Sequence, residues 1–235
     1  DFKKILKKKL KLIYIANPNQ PSGTSLKKKY IEDILKITKK KNILVIIDEA
    51  YIDFSNQKSS INLVNKYENL FVLRTFSKGF GSAGLRVGYL VSNFDNVNEV
   101  NKVRPLHNIN SLGIKFASYL LKNKSIIREN VSKISQSKIM LYKFCKNNNL
   151  DFLKSDTNFV NIFFTEKKSR EIIKFLQKKN ILVRLREYKT KNKKIFSVRV
   201  SLGHKKTTQI FLKNFRQYLK LNEKKKEKNI INDRI

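Results

Sequence analysis

Five consecutive aliphatic residues, Ile43-Leu44-Val45-Ile46-Ile47, restrict the fold of this chain more than any other stretch. A strand with one wet face alternates apolar and polar side chains. An uninterrupted apolar run needs cover on both faces, as in parallel sheets flanked by helices. The run ends in Asp48-Glu49-Ala50-Tyr51. Open α/β sheets bind ligands beyond the carboxyl ends of their strands, so Asp48 and Tyr51 stand where binding groups belong. The plainer reading makes Asp48 a turn cap and Tyr51 a half-buried packing ring.

Two more stretches repeat the pattern of strand followed by polar loop. Leu12-Ile13-Tyr14-Ile15 leads into Ala16-Asn17-Pro18-Asn19-Gln20-Pro21-Ser22-Gly23-Thr24, a turn-rich loop. Phe71-Val72-Leu73 leads into Thr75-Phe76-Ser77-Lys78-Gly79-Phe80-Gly81-Ser82-Ala83-Gly84-Leu85-Arg86-Val87-Gly88. Glycines let a backbone turn sharply and let a ligand approach closely. A Lys amine forms Schiff bases with carbonyl cofactors, and an Arg is suited to hold a phosphate. In a chain with 52 Lys+Arg, one loop lysine is ordinarily just solvated, so Lys78 is singled out by its neighbours alone.

Around these loops the spacing predicts a helix over 25–40 capped by Ser25, strands at 43–48, 70–75 and 87–91, and a break at Pro105. Residues 1–10 read as the end of a helix. Downstream, a long helical region is expected from Ser111 to Asn147, then a strand over 158–164 and a helix capped by Ser169. Strands at 181–184 and 196–200 and a last helix over 205–220 complete the pattern. Strands alternating with helices imply an α/β fold, a three-layer mostly parallel sheet. The later elements imply a smaller C-terminal α+β domain. The expected division is 1–105, 106–222 and a frayed basic tail over 223–235.

The formal net charge is +34, from 52 Lys+Arg against 18 Asp+Glu. Such a surface attracts polyanions without sequence preference. The lysines are scattered, however, and no nucleic-acid module accompanies them, so biased composition is preferred to specific nucleic-acid binding. The single cysteine, Cys145, excludes an intramolecular disulfide and fits a reducing cytoplasm. No Cys/His spacing suggests a metal, and no apolar run is long enough to cross a membrane.

Taken in order, Asn-Pro-Asn-x-Pro-Ser/Thr-Gly, Asp-Glu-Ala-Tyr and Ser-Lys-x-x-Gly-x-Ala-Gly-Leu-Arg-x-Gly-Tyr resemble the fold-type I pyridoxal-phosphate aminotransferases. Within them the sequence is most similar to the histidinol-phosphate aminotransferase branch, from about Leu12 to about Leu219. The resemblance implies pyridoxal 5'-phosphate as cofactor. By it, Lys78 forms the Schiff base and shuttles a proton, Asp48 pairs with the pyridine nitrogen and Tyr51 meets the ring oxygen. Thr75, Ser77 and Arg86 then bind the cofactor phosphate. Arg199 meets the carboxylate of the amino-acid substrate and Arg184 the phosphate of histidinol phosphate, while Asn158 lies in the strand leading to the site. For the two arginines the plainer reading is a structural ion pair, and for Asn158 a strand-start cap.

Two departures bear on these roles. Gln20 stands where the family usually has an Asn that reaches the ring oxygen, so Asn17 or Asn19 is an alternative donor. Leu106-His107 replaces the more usual Pro-Tyr, and His107 reads as a loop residue rather than a catalyst. The resemblance further implies an upstream portion with a glycine-rich phosphate loop, and a homodimer with shared sites. The implied reaction moves an amino group between a donor such as glutamate and a carbonyl acceptor, all small molecules. The alternatives are a decarboxylase of a phosphorylated amino acid, a non-catalytic aminotransferase-like domain for sensing or assembly, and, third, a nucleic-acid-binding protein.

Overall fold

The computed structural model describes residues 6, 8–106, 108–190 and 193–232, with side chains through residue 221. It divides into two compact units, Asp1–Val131 and Ser132–Ile235.

The first unit is built on a four-stranded sheet in the order β1-β2-β3-β4, with β1 at Leu12–Ala16, β2 at Leu44–Asp48, β3 at Leu70–Thr75 and β4 at Gly88–Val91. The first three strands are parallel, and β4 returns antiparallel to β3. That is the mostly parallel sheet expected from the aliphatic runs. Val45 and Ile47 of β2 are fully buried, beside Leu70 and Val72 of β3. Helix α1, Lys28–Lys39, turns Ile31, Leu35 and Thr38 inward at helical spacing. Each fully buried aliphatic side chain such as Leu35 contributes about 1.5–3 kcal/mol. Asn69 ties the base of the sheet together, donating to Thr38 Oγ1 at 3.1 Å and to the Ile43 carbonyl at 2.9 Å.

Helix α1 starts two residues later than a cap at Ser25 requires, with Lys27 at the cap position. Asn17 explains the delay: its Oδ1 accepts from the Leu26 backbone N–H at 2.7 Å and holds that residue in the loop. Short 3-10 turns occupy Ile52–Phe54, Ser60–Leu63 and Ala83–Leu85. Helix α2 covers Phe94–Lys102 and ends short of Pro105. The long helical region divides at Asn123 into α3, Ser111–Lys122, and α4, Lys124–Asn147. Asn123 Nδ2 donates to the Tyr119 carbonyl at 2.8 Å, the local competition with helix bonding that Asn brings.

The second unit is an antiparallel sheet in the order β5-β6-β8-β7, with β5 at Phe152–Leu153, β6 at Phe159–Phe164, β7 at Arg184–Lys189 and β8 at Lys194–Ser201. Helices α5, Glu166–Gln177, and α6, Lys205–Asn232, accompany it. Its core gathers Ile162, Ile172, Leu176, Val198, Val200 and Phe215, all buried. Phe215 meets Phe164 edge-on at 6.3 Å and Phe144 at 5.7 Å.

Three boundaries differ from expectation here. Helix α5 is capped by Thr165, whose Oγ1 accepts from Lys168 N, and Ser169 lies inside the helix, buried. Residues 181–183 are not strand. Asn180 turns left-handed (φ 55°) and Ile181 N–H bonds back to the Leu176 carbonyl, so β7 begins only at Arg184. Helix α6 runs past 220, because its Lys- and Glu-rich continuation contains good helix formers and no Gly or Pro. Residues 6 and 8–11 form no helix; residues 1–5, 7 and 233–235, like His107, lie outside the described residues.

Candidate cofactor and substrate site

The parallel register sets Ala16 beside Asp48 at the carboxyl ends of β1 and β2, and Asp48 beside Leu73 of β3. Three loops leave the sheet at this one end. Two adjoining cavities open there, of about 630 and 390 Å³. Asp48, Ala50 and Lys78 line both. The larger also touches Thr75, Ser77 and Arg86, the smaller Tyr14, Gln20 and Tyr51. Residues that are scattered over the sequence from 14 to 86 thus converge.

Asp48 is fixed from two sides. Its Oδ1 accepts from the Ala50 backbone N–H at 2.9 Å, and its Oδ2 accepts a short hydrogen bond from the Tyr14 phenol. Partial burial, and then that bond and the charge of Asp48, push the Tyr14 phenol up to about 12. A phenol that keeps its proton to such a pH remains a donor, which suits a carboxylate acceptor.

Lys78 holds its amine 5.2 Å from the centroid of the Tyr51 ring. Tyr51 in turn donates its hydroxyl proton to Gln20 Oε1 at 2.7 Å. Among the three amide residues weighed for the ring oxygen, Gln20 is therefore the one that lines the cavity beside Tyr51. Asn19 closes its own turn, its Oδ1 accepting from Ser22 N at 3.3 Å and Ser22 Oγ at 2.8 Å. Asn17 is buried and tied to Leu26.

The lysine loop is held by its surroundings. Phe76 packs its ring on Phe80 at 4.9 Å, within a small core with Val87, Ala117 and Leu120. Asn130 Nδ2 donates to the Gly79 carbonyl at 2.7 Å. Gly79 lies so close to Asp53 that an added Cβ would sit 2.8 Å from the Asp53 Cβ. Thr75 Oγ1 accepts from Ser77 N at 3.1 Å, which turns the chain at the end of β3. Arg86 is exposed and adopts a left-handed conformation, φ 54°.

Glu49, next to Asp48, points to the opposite face of β2, as the period of a strand requires. It is buried and accepts from Ser59 Oγ at 2.6 Å and Ser60 N at 2.5 Å, with Arg74 at 3.6 Å. Arg74 also binds Asp53 at 2.6 Å. One guanidinium serves two carboxylates, and burial outweighs its pull, so the Asp53 carboxyl is raised.

Asn158, Arg184 and Arg199 belong to the second unit. Asn158 stands one residue ahead of β6, and its carbonyl accepts from Leu202 N at 2.8 Å. Arg199 lies directly across from Arg184 in the β7–β8 pairing and across from Asn161 in the β6–β8 pairing. Its guanidinium carbon is 4.8 Å from the Phe159 ring centroid.

Tyr14, Asn130 and the Glu49–Arg74–Asp53 cluster were not singled out in the sequence. Tyr14 follows from strand register, which no local pattern announces. No group of His, Cys, Asp or Glu among the described residues is arranged to hold a metal, and no helix there is long and apolar enough to cross a membrane.

A family model described as aminotransferase class I and II matches residues 1–215. The chain is 41% identical over 165 residues to histidinol-phosphate aminotransferase 2 of Haemophilus influenzae strain 86-028NP, covering 68% of this chain and 44% of that protein. Its fold is similar to the histidinol-phosphate aminotransferase of Clostridium acetobutylicum, with a TM-score of 0.83 at 24% identity, over 93% of this chain and 67% of that one. It is also similar to the Sinorhizobium meliloti histidinol-phosphate aminotransferase solved with pyridoxal-5'-phosphate, with a TM-score of 0.78 at 23% identity, over 92% and 60% of the two chains. The sheet, with its lysine loop at the carboxyl ends of the strands, is that of an α/β protein with a ligand-sized cavity at that end. The chain belongs to the class I and II aminotransferase family. It spans about half the length of the curated relatives it matches.

Proposed function

We propose that this chain seats pyridoxal 5'-phosphate and carries the catalytic lysine of a transaminase. In this reading an amino group moves between a donor such as glutamate and a carbonyl acceptor, as in the exchange of histidinol phosphate and imidazole-acetol phosphate. The observation that carries the reading is the position of Lys78, whose side chain lines both cavities together with Asp48. The donor set suits the cofactor: a carboxylate for a ring nitrogen, a phenol for a ring oxygen, an amine for an aldehyde, and hydroxyls with a guanidinium for a phosphate.

When bound, the cofactor supplies an electron sink for the substrate carbon. The chain's own residues supply the rest. Asp48, oriented by Tyr14 and the Ala50 N–H, holds the ring nitrogen in its protonated form. Tyr51 and Gln20, hydrogen-bonded to each other, would hold the ring oxygen. Ser77, Thr75 and Arg86 hold the phosphate, and the Lys78 amine moves a proton at the reacting carbon. Arg199 binds the donor's carboxylate, Arg184 binds an acidic group on the acceptor, and Asn158 positions the entry to β6.

The same resemblance supports a homodimeric, cytoplasmic enzyme acting on small molecules, with no specific nucleic-acid or membrane partner. The order of strands and helices and the Lys-rich composition of the end support a partial cofactor-binding domain over 1–105, a small domain over 106–222 and a basic tail over 223–235. Reduction with borohydride in the presence of pyridoxal phosphate tests the central claim. Peptide mapping should find the label on Lys78, and Lys78→Ala should abolish it without unfolding the protein. A label on another lysine overturns the assignment.

A further inference from the structure

Gly79 directly follows the lysine of the site and is buried, and space alone demands a glycine there. Its backbone is not left-handed, a conformation that only Gly23 and Gly81 adopt among the described glycines. A Cβ added to Gly79 would sit 2.8 Å from both Cβ and Cγ of Asp53, closer than real side chains approach. Gly84, in the same loop, has open space at the corresponding place. One residue beyond Lys78, then, the chain lies flat on the side chain of Asp53.

Asp53 is itself fixed. It belongs to the 3-10 turn Ile52–Phe54, in which Ile52 and Phe54 are buried. The turn closes through Ile52 N–H to the Glu49 carbonyl at 3.1 Å and Phe54 N–H to the Tyr51 carbonyl at 3.0 Å. Arg74 Nη2 donates to Asp53 Oδ1 at 2.6 Å, while Nη1 of the same guanidinium lies 3.6 Å from Glu49 Oε2. The Asp53 and Arg74 side chains are only 12% and 14% exposed, so salt screens the pair little. An apolar side chain would fill the space under Gly79 without the cost of burying a charge. The carboxylate adds what an apolar group lacks, a direction set by a charge-assisted bond. The lysine loop is held from above as well: the Lys78 carbonyl accepts from Gly81 N–H at 3.0 Å, and the Gly79 carbonyl from Asn130 Nδ2 at 2.7 Å.

We infer that Asp53 is a positioning residue for the Lys78 amine: held by Arg74, it forms the seat on which Gly79 lies, and that seat sets where the amine stands in the site. This rests on the aminotransferase reading above. The seat follows Asp48 and Tyr51 in one stretch, residues 48–53, so the partners of the ring and the support of the lysine move together. The effect need not be large in distance, since a misplacement of about 1 Å at a reacting group costs about a hundredfold in rate. Neither sequence spacing nor resemblance singled out Asp53; the closeness of Gly79 does.

The test separates position from stability. The rate at which pyridoxal phosphate and borohydride label Lys78, read by peptide mapping, should fall at least tenfold in Asp53→Ala and in Gly79→Ala, which disturb one contact from its two sides. Asp53→Asn keeps the shape under Gly79 and an acceptor for Arg74, and should stay within threefold of the unmodified chain. Asn69→Ala breaks two buried hydrogen bonds at the other end of the same sheet; it should lower the denaturation midpoint and leave labelling within threefold. Unslowed labelling in Asp53→Ala overturns the inference, as do equal losses in Asp53→Ala and either Asp53→Asn or Asn69→Ala. Should Asp53→Ala not fold, unslowed labelling in Gly79→Ala overturns it. If the unmodified chain takes the label on another lysine or not at all, the aminotransferase reading fails instead. The seat is then judged without cofactor, by the reactivity of Lys78 toward acetic anhydride relative to that of the exposed Lys122. That ratio should change at least threefold in Asp53→Ala and Gly79→Ala but not in Asp53→Asn, and an unchanged ratio overturns the inference.

Discussion

The phenol of Tyr14 on β1 donates its proton to Oδ2 of Asp48 on β2, one step diagonally across a parallel pair whose register sets Ala16 beside Asp48. Tyr14 is more than half exposed, 54%, so the bond is made at the rim of the site rather than in the core. It leaves Asp48 one oriented carboxylate with both oxygens engaged by this chain, Oδ1 by Ala50 N and Oδ2 by Tyr14.

Tyr14→Phe removes only the hydroxyl. It should weaken pyridoxal phosphate binding by about fivefold, in line with roughly 1 kcal/mol for one hydrogen bond, and lower the stability of the cofactor-free protein below pH 10 by no more than that. A spectrophotometric titration adds a second readout, since the phenol that ionises near 12 should vanish in the variant. The sign follows from the raised value. The folded state keeps this proton where the unfolded chain, with a phenol near 10, loses it. The contribution is therefore intact below pH 10 and lost as pH rises toward 12. Unchanged cofactor affinity would show that Asp48 is oriented without Tyr14.

Asp48 and Glu49 are neighbours with opposite duties, and the period of the strand separates them. Glu49→Ala leaves Ser60 N without its acceptor and removes one of the two carboxylates that share Arg74. Breaking such a buried arrangement should cost about 3–5 kcal/mol, read as a lower denaturation midpoint. Asp48→Ala should change stability little and abolish cofactor binding. If the two variants lose stability equally, Asp48 is a structural cap, as its plainer reading has it.

What was legible in the sequence was local. The aliphatic run at 43–47 marked a parallel strand, and the chemistry of Ser77, Lys78 and Arg86 stood out against their glycines, because these features depend on neighbours within a few residues. What was not legible depends on pairing. Tyr14 reaches Asp48 only through a strand register that brings together residues 34 apart. The misplaced boundaries have the same origin. Asn17 delays α1 from a distance of nine residues, and the left-handed Asn180 delays β7. A propensity scale contains neither event. Gln20 shows the converse: it departs from the family pattern, yet the loop geometry still carries its amide to Tyr51.

Arg86 offers the last test because its backbone and its side chain make opposite demands. It is left-handed, at φ 54° and ψ 39°, just after the 3-10 turn Ala83–Leu85. Among the described residues the other non-glycine positions with positive φ are Asn42, Asn149 and Asn180, a type that tolerates this region. For a residue such as Arg the left-handed conformation costs about 1–2 kcal/mol. It is imposed from both sides, since Phe76 N–H bonds to the Val87 carbonyl and Thr75 pairs with Gly88 where β3 meets β4. Glycine would hold the same backbone without that strain, and alanine would not. Arg86→Gly should therefore be more stable than Arg86→Ala by about 1 kcal/mol in denaturant titration. Both variants lose the guanidinium, so both should lose affinity for pyridoxal phosphate to the same extent, at least tenfold, with affinity for pyridoxal lacking the phosphate unaffected. Equal stability of the two variants would show that the backbone relaxes freely. An affinity for the phosphorylated cofactor that survives in either variant would remove Arg86 from the phosphate seat and leave that task to Ser77 and Thr75.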